Sequence, residues 1–313
     1  MHIRDAIAID LSVPVSIVDE ALKESRIYVK KFTLPKKSGG SREIFHPSKK
    51  LKTVQYWLIF NILSKLPIHS SAVAYRDGIS ILNNAKKHCH NRFFLKLDLK
   101  EFFHSIVFSD LLPLIEDWYQ NISVDWVFGP EEKDLIRKSC FYKEDRLAIG
   151  YPSSPVISNV VMYQFDLNVE SLVSSGRFGD VCYTRYADDL IFSTDKKGGC
   201  KVLLREISDL IGRHKSPDIT LNSAKTRLGS STGGTASVTG LKVCNNGYIT
   251  VHRKQKDHIR LLLSLYAKGE LKPDEYRSLL GHLAYCHYVA PSFYSRLAQK
   301  YFKEIHELRA SVF

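Results

Sequence analysis

The sequence predicts an α+β fold in which helices flank a sheet, and three observations lead there. Residues 92–98 form an apolar, β-prone run that ends directly in Asp98. Residues 183–193 hold two such runs folded back around a tight turn that carries Asp188 and Asp189. Between and after them, apolar residues recur at helical spacing. A β-α-β-β arrangement of these pieces brings Asp98 beside the Asp188–Asp189 pair. An acidic turn of this kind is either solvated, which is ordinary, or faces cations.

Length and charge narrow the class. A chain of 313 residues, 44% hydrophobic and 25% charged, is long enough for two or three substructures around a sizeable core. Its formal net charge of +12 favours a polyanionic partner. From Lys242 onward there are 12 Lys or Arg against 6 Asp or Glu, which makes that end a candidate contact face. No apolar run reaches 18 residues and the first residues lack a signal-peptide core, so a cytoplasmic protein with no membrane partner is expected. The six cysteines are dispersed, with no C-x-x-C pair, and are expected reduced and mostly buried.

Taken in order, residues 1–30 suggest one or two helices, with Ser16 as a cap. Residues 28–47 read as a hairpin turned through Pro35-Lys36-Lys37-Ser38-Gly39-Gly40. Arg42 on its second strand lies either on a solvated surface or over phosphates. Residues 49–66 have helical period and stop at Pro67, and residues 81–88 begin another helix. A short helix is expected within residues 99–106. Residues 109–146 read as helical with interruptions at Pro113, Gly129 and Pro130. A Gly/Pro/Ser loop over residues 147–155 opens a helix from Val156 to about Leu172. After the central hairpin come a helix near residues 200–214, a strand edge at Leu221-Asn222 followed by Lys225, and a flexible 229–234 stretch. A strand pair over 236–243 and 247–251 follows, and the basic remainder is helical, broken near 269–273 and at Pro291.

Three carboxylates at one locus repel one another unless divalent cations neutralise them. Oxygen-only ligation selects Mg²⁺, with Mn²⁺ also possible. Two such ions about 3.5–4 Å apart serve in-line displacement at phosphorus, the chemistry of nucleotidyl transfer.

The residues also carry a resemblance. Leu97-Asp98-Leu99-Lys100-Glu101-Phe102-Phe103, Gly150-Tyr151-Pro152-Ser153-Ser154-Pro155 and Tyr186-Ala187-Asp188-Asp189 are similar, in order, to the three palm motifs of bacterial reverse transcriptases. Lys225 falls where a fourth-motif lysine is expected, and Val238-Thr239-Gly240-Leu241 resembles a primer-grip hairpin. Asn84-Ala85-Lys86-Lys87-His88 fits the N-A-x-x-H element, and Val238-Thr239-Gly240 the V-T-G element, typical of retron reverse transcriptases.

The resemblance implies a right-hand polymerase fold. N-terminal helices and fingers would take 1–92, the palm 93–235 with a fingers insertion at about 109–150, and the primer grip and helical thumb 236–313. Asp98 and Asp188 would hold two Mg²⁺ ions, with Asp189 assisting and the Leu99 carbonyl completing one sphere. Phe103 would be a steric gate against a 2′-hydroxyl, or else a core Phe beside Phe102. Arg42 would bind the triphosphate. Lys225 would protonate the departing pyrophosphate, or else be a solvated lysine. Many relatives carry Gln where Ile149 stands before Gly150, so Ile149 lacks an amide that helps hold the dNTP or template. Asn84 and His88 would contact RNA or have a structural role. Val238, Thr239, Gly240, Arg253, Lys254, Lys256 and Arg260 would contact nucleic acid, the last four from a thumb that grips duplex.

The implied function is copying part of a cognate structured noncoding RNA into branched RNA–DNA (msDNA) from a 2′-hydroxyl primer. The enzyme would serve anti-phage defence with a separate effector protein. No ribonuclease H, maturase or endonuclease module is expected, and RNA removal would fall to a host enzyme. Two rivals remain: an RNA-holding scaffold whose polymerisation is secondary, and another bacterial, intron-type reverse transcriptase. A nucleotide cyclase on a related sheet would leave the primer-grip hairpin and basic tail without a purpose.

Overall fold

The computed structural model describes residues 1–25, 27–35, 39–234 and 236–311. Helices α1 (Ile3–Asp10) and α2 (Val15–Lys23) bury Ile3, Ala6, Ile7, Val18 and Ala21 against the main core. Helix α2 starts at Val15 with Pro14 at its N-cap, so Ser16 lies inside the first turn and is not the expected cap. Strands β1 (Lys30–Pro35) and β2 (Ser41–His46) pair antiparallel from Lys30 opposite His46 to Pro35 opposite Ser41. Of the expected turn between them, Lys36, Lys37 and Ser38 lie outside the described residues. Helix α3 (Lys49–Asn61) is capped by Ser48, whose hydroxyl accepts from Leu51 N at 3.2 Å.

Helix α4 (Ile81–His88) leads through a short loop into β3 (Phe93–Asp98) and the brief helix α5 (Phe102–Ser105). Helix α6 (Phe108–Gln120) runs through Pro113 without the expected interruption. The Gly129-Pro130 pair does not break a helix but begins one, since Pro130 occupies the first turn of α7 (Pro130–Cys140). The helix expected over 156–172 is two, α8 (Ser154–Val161) and α9 (Tyr163–Val173), joined at Met162. The central hairpin consists of β4 (Val181–Tyr186) and β5 (Asp189–Thr194), and α10 (Gly199–Arg213) follows it.

Residues 227–230, half of them expected in a flexible stretch, form β6 (Arg227–Ser230). Glycine and serine hide this strand from propensity, and its ladder to β3 supplies what its side chains do not. The resulting four-stranded sheet has the order β4-β5-β3-β6, antiparallel throughout. The expected strand pair after residue 236 is a three-stranded sheet, β7 (Ser237–Val238), β8 (Leu241–Val243) and β9 (Ile249–Thr250). Thr239 and Gly240, both at positive φ, turn the first hairpin within the segment read as one strand. The α-helices α11 (Arg253–Ala267), α12 (Tyr276–Val289), α13 (Pro291–Lys300) and α14 (Phe302–Ala310) follow.

Side-chain alternation sorts the four-stranded sheet between two cores. Leu95, Leu97, Tyr183, Leu190 and Phe192 face a core shared with α1–α3 and α6–α10. Phe94 and Ile191 face a second core, where Ala85 of α4 meets Val238, Leu241 and the C-terminal helices. With both faces covered, β5 is buried from Leu190 through Thr194 without alternation.

Candidate active site

The register of the sheet assembles the acids. Asp98, the last residue of β3, pairs with Asp189, the first of β5, and Tyr186 pairs with Asp189 across the hairpin. The connecting turn is therefore Ala187-Asp188. Ala187 adopts φ 56, a left-handed conformation that costs an L-residue about 1–2 kcal/mol. Leu99 N donates to the Asp188 carbonyl at 3.0 Å, which ties the turn to the end of β3. A bridge between Leu99 and Leu221 is flanked by bonds from Asn222 N to Asp98 O (2.7 Å) and from Lys100 N to Thr220 O (2.8 Å). These leave the Leu99 carbonyl outside the ladder.

Each end of this acidic locus has a cationic partner. The Asp98 carboxylate, 5% exposed, accepts from Lys225 Nζ at 2.9 Å and from Asn222 Nδ2 at 2.9 Å. Asp189 accepts from Lys96 Nζ at 2.7 Å. The hydrogen bond to Asp98 holds the Lys225 ammonium above the usual lysine range. Burial, followed by the charges of Asp189 and Asp98, pushes the Asp188 carboxyl up.

The donor set is all oxygen and carries more negative charge than its neighbours relieve, so it fits hard divalent cations. Among the described residues, the one set of three His, Cys, Asp or Glu ligand atoms lying within 4.8 Å of one another is His2, Glu131 and Glu132. Glu132 there is occupied as a helix cap, accepting from Gly129 N and paired with His2 Nδ1. The carboxylates of Asp98, Asp188 and Asp189 do not all lie within that distance of one another.

A wall of aromatic and basic groups adjoins the acids. Phe102 is buried in the main core, whereas Phe103 is half-buried, with its ring 5.5 Å from Phe102 and 6.4 Å from Tyr75. Burial, followed by the charge of Asp188, pushes the Tyr75 hydroxyl up, and the Arg42 charge opposes the shift. Ile149 O accepts from Phe45 N at 2.8 Å, joining the 147–155 loop to β2. Gly150 has φ +104, and a Cβ there would lie 2.5 Å from the Phe45 carbonyl oxygen.

Asn84 and His88 are both fully buried, so neither reaches a nucleic acid laid on the surface, and the RNA-contact expectation does not match their position. His88 bridges Ser193 Oγ and Thr184 Oγ1, each at 2.8 Å, and locks β4 to β5. Burial lowers its pKa to about 3. Val238 is likewise buried in the second core, while Thr239 and Gly240 form the turn beyond it. Arg253, Lys254 and Arg260 are exposed on α11, and Lys256 is half-buried. Lys256 and Arg260 both lie over the Phe293 ring.

Sequence reasoning missed Lys96, Asn222, Tyr75 and the buried Arg185–Asp166 pair. Lys96 had a usable signal, because it lies two residues before Asp98 on the same strand face. The others depend on contacts between distant segments.

A reverse transcriptase (RNA-dependent DNA polymerase) family profile matches residues 34–262. Retron Ec73 reverse transcriptase of Escherichia coli is 41% identical over 278 residues, covering 88% of each chain. Retron Ec83 reverse transcriptase, also of Escherichia coli, is 31% identical over 281 residues, 88% of this chain and 87% of that one. A solved telomerase from Candida albicans, in complex with a TWJ fragment of telomeric RNA, aligns with TM-score 0.51 at 10% identity. It covers 90% of this chain, which spans 59% of the telomerase chain, and shows a shared fold alone.

Proposed function

The chain belongs to the reverse transcriptases, within their retron branch, and is an RNA-directed DNA polymerase with the right-hand polymerase fold; from that premise we propose that it copies part of a cognate structured noncoding RNA into branched RNA–DNA, starting from a 2′-hydroxyl of that RNA. The observation that carries the reading is the register that sets Asp98 opposite Asp189 with Asp188 in the turn between. In this reading residues 1–92 supply the fingers, 93–235 the palm with a fingers insertion at about 109–150, and 236–313 the primer grip and thumb.

Asp98 and Asp188 would hold two Mg²⁺ ions, or Mn²⁺, with Asp189 and the Leu99 carbonyl assisting. Bound there, the ions supply charge neutralisation at the attacking and departing oxygens. The side chains do the rest. Arg42 takes the triphosphate by charge-assisted hydrogen bonds. The Phe103 ring occupies the space a 2′-hydroxyl would need. Lys225, already protonated against Asp98, delivers its proton to the leaving pyrophosphate. Arg253, Lys254, Lys256 and Arg260 grip the backbone of the duplex, and Thr239 and Gly240 meet the primer strand.

Among the described residues no helix is long and apolar enough to cross a membrane. The proposed setting is the cytoplasm, with the cognate RNA, its cDNA and a separate effector protein as partners in anti-phage defence.

Purified protein with its RNA, dNTPs and Mg²⁺ should make cDNA, and Asp188→Asn should make none. Sequencing the nucleic acid that copurifies should find branched RNA–DNA. Wild-type protein that makes no cDNA, or an equally active Asp188→Asn, would favour the scaffold role instead, and linear cDNA would favour the intron-type alternative.

A further inference from the structure

Tyr75 stands at φ 58, a conformation that bulky L-residues keep only where their surroundings impose it. Arg185 N donates to Ser71 O at 2.7 Å and Val73 N to Arg185 O at 2.9 Å, so the segment before Tyr75 pairs with the catalytic strand β4. The Ala74 carbonyl, adjacent to Tyr75, accepts from Asn159 Nδ2 at 2.8 Å. On the other side, Arg76 Nη1 donates back to the carbonyls of His69 and Ala72 at 3.3 and 3.2 Å.

A buried network underlies this clamp. Asn159 Oδ1 accepts from Arg185 Nη1 at 3.2 Å, and the guanidinium forks onto Asp166, Nε to Oδ1 at 3.0 Å and Nη2 to Oδ2 at 2.7 Å. Arg185, Asp166 and Asn159 are all 0% exposed. A wholly desolvated ion pair is weak grounds for stability, because apolar residues of the same volume often serve as well. What the planar fork does supply is a fixed distance and direction. Here it links Arg185, three residues before Asp188, to the backbone that presents Tyr75. The Tyr75 ring, 50% exposed, is held edge-on to Phe103 and is not packed into either core.

We propose that Tyr75 is a nucleotide-positioning residue, its ring completing with Phe103 the wall against which the incoming dNTP sits, and that the buried Arg185–Asp166–Asn159 network holds this ring in register with Asp188. The inference rests on the polymerase reading above. Core aromatics gain from burial, whereas a strained aromatic left half in solvent beside the reacting groups offers its face to a ligand.

Single-nucleotide primer extension with the full chain tests it. Tyr75→Ala should raise the dNTP KM about tenfold, with a smaller change in kcat. Tyr75→Phe should recover most of that loss, and the Kd for primer–template should stay unchanged in both. Asn159→Ala should raise the KM in the same direction, and the double variant should lose little more than Tyr75→Ala alone. The thermal midpoint is followed throughout, and if Asn159→Ala fails to fold, the Tyr75 variants still decide. A Tyr75→Ala KM within about twofold of an active wild type overturns the proposal. So does a Tyr75→Phe as impaired as Tyr75→Ala, or additive losses in the double variant. Inactive wild-type protein would instead sink the polymerase reading, and this inference with it.

Discussion

Lys225 Nζ lies 2.9 Å from Asp98 Oδ2, so the residue proposed to protonate the leaving group is also the countercharge of an acid proposed to hold metal. The hydrogen bond to Asp98 holds the Lys225 ammonium above the usual lysine range, so in that proposal it enters the reaction with its proton. Lys225→Ala is expected to lower the single-turnover rate by about 10²-fold with little change in dNTP KM. A rate within about threefold of wild type in rapid-quench extension would leave Lys225 as a salt-bridge partner only.

Asp188 and Asp189 differ in their surroundings. Asp189 has Lys96 at 2.7 Å, whereas Asp188 is pushed up by burial and by two neighbouring acids. Asp188→Asn is expected to abolish extension, by about 10³-fold or more, and Asp189→Asn to cost less. Stability should move the other way. A carboxyl whose folded pKa is raised loses stability as pH climbs through that value, so neutralising it stabilises the fold at neutral pH. Without divalent cations Asp188→Asn should therefore melt higher than wild type, by about 2 °C per kcal/mol gained. Calorimetry that finds it melting lower would mean that Asp188 is not under charge strain.

Phe103 packs against the main core but, unlike Phe102, stays partly exposed, as the proposed gate requires. Phe103→Val is expected to fold normally and to relax the dNTP over NTP preference by about 10²-fold. Extension assays with matched dNTP and NTP pairs read this directly, and an unaltered ratio removes Phe103 from the gate.

The acids were legible because each sits where an apolar run stops, and a period of two fixes which residues can meet across a hairpin. The helices at 81–88 and 200–214 were legible for the equivalent reason, a period of 3.6. Strand β6 was not, since Gly229 and Ser230 carry no strand signal and the segment is extended only through pairing with β3. Asn159 was invisible because its bond to the Ala74 carbonyl joins segments 85 residues apart, and Tyr75 because its place beside Phe103 is a property of the fold. His88 was legible as part of a motif, but burial, which decides what it does, is a property of the fold.

Gly150 couples the β1–β2 hairpin to the 147–155 loop. With φ +104 and the Phe45 carbonyl 2.5 Å from any Cβ, Gly150→Ala must shift either the loop or β2. A destabilisation of about 2–4 kcal/mol is expected. A rise in dNTP KM should accompany it, because Arg42 is carried on β2. Denaturant unfolding and steady-state extension would check both, and an unchanged KM would mean that Arg42 is positioned independently of this contact.

His88 makes pH a probe of the palm hairpin. In the neutral ring one nitrogen donates to a hydroxyl and the other accepts from one, and the two hydroxyls of Ser193 and Thr184 can meet both roles. Its folded pKa of about 3 lies below the 6.5 of an unperturbed histidine, with burial as the main cause and Lys87 adding to it. Between those values the unfolded chain binds the proton and the folded one does not. The stability from the neutral ring is therefore complete above about pH 6.5 and drains away as pH falls toward 3. From about pH 7.5 to pH 5 the drain amounts to roughly 2 kcal/mol. His88→Gln should be less stable than wild type at neutral pH, and its deficit should shrink by that amount on acidification. A deficit that stays constant between the two pH values would show that His88 titrates in the fold as it does in the unfolded chain, and the hairpin lock would have to be redrawn.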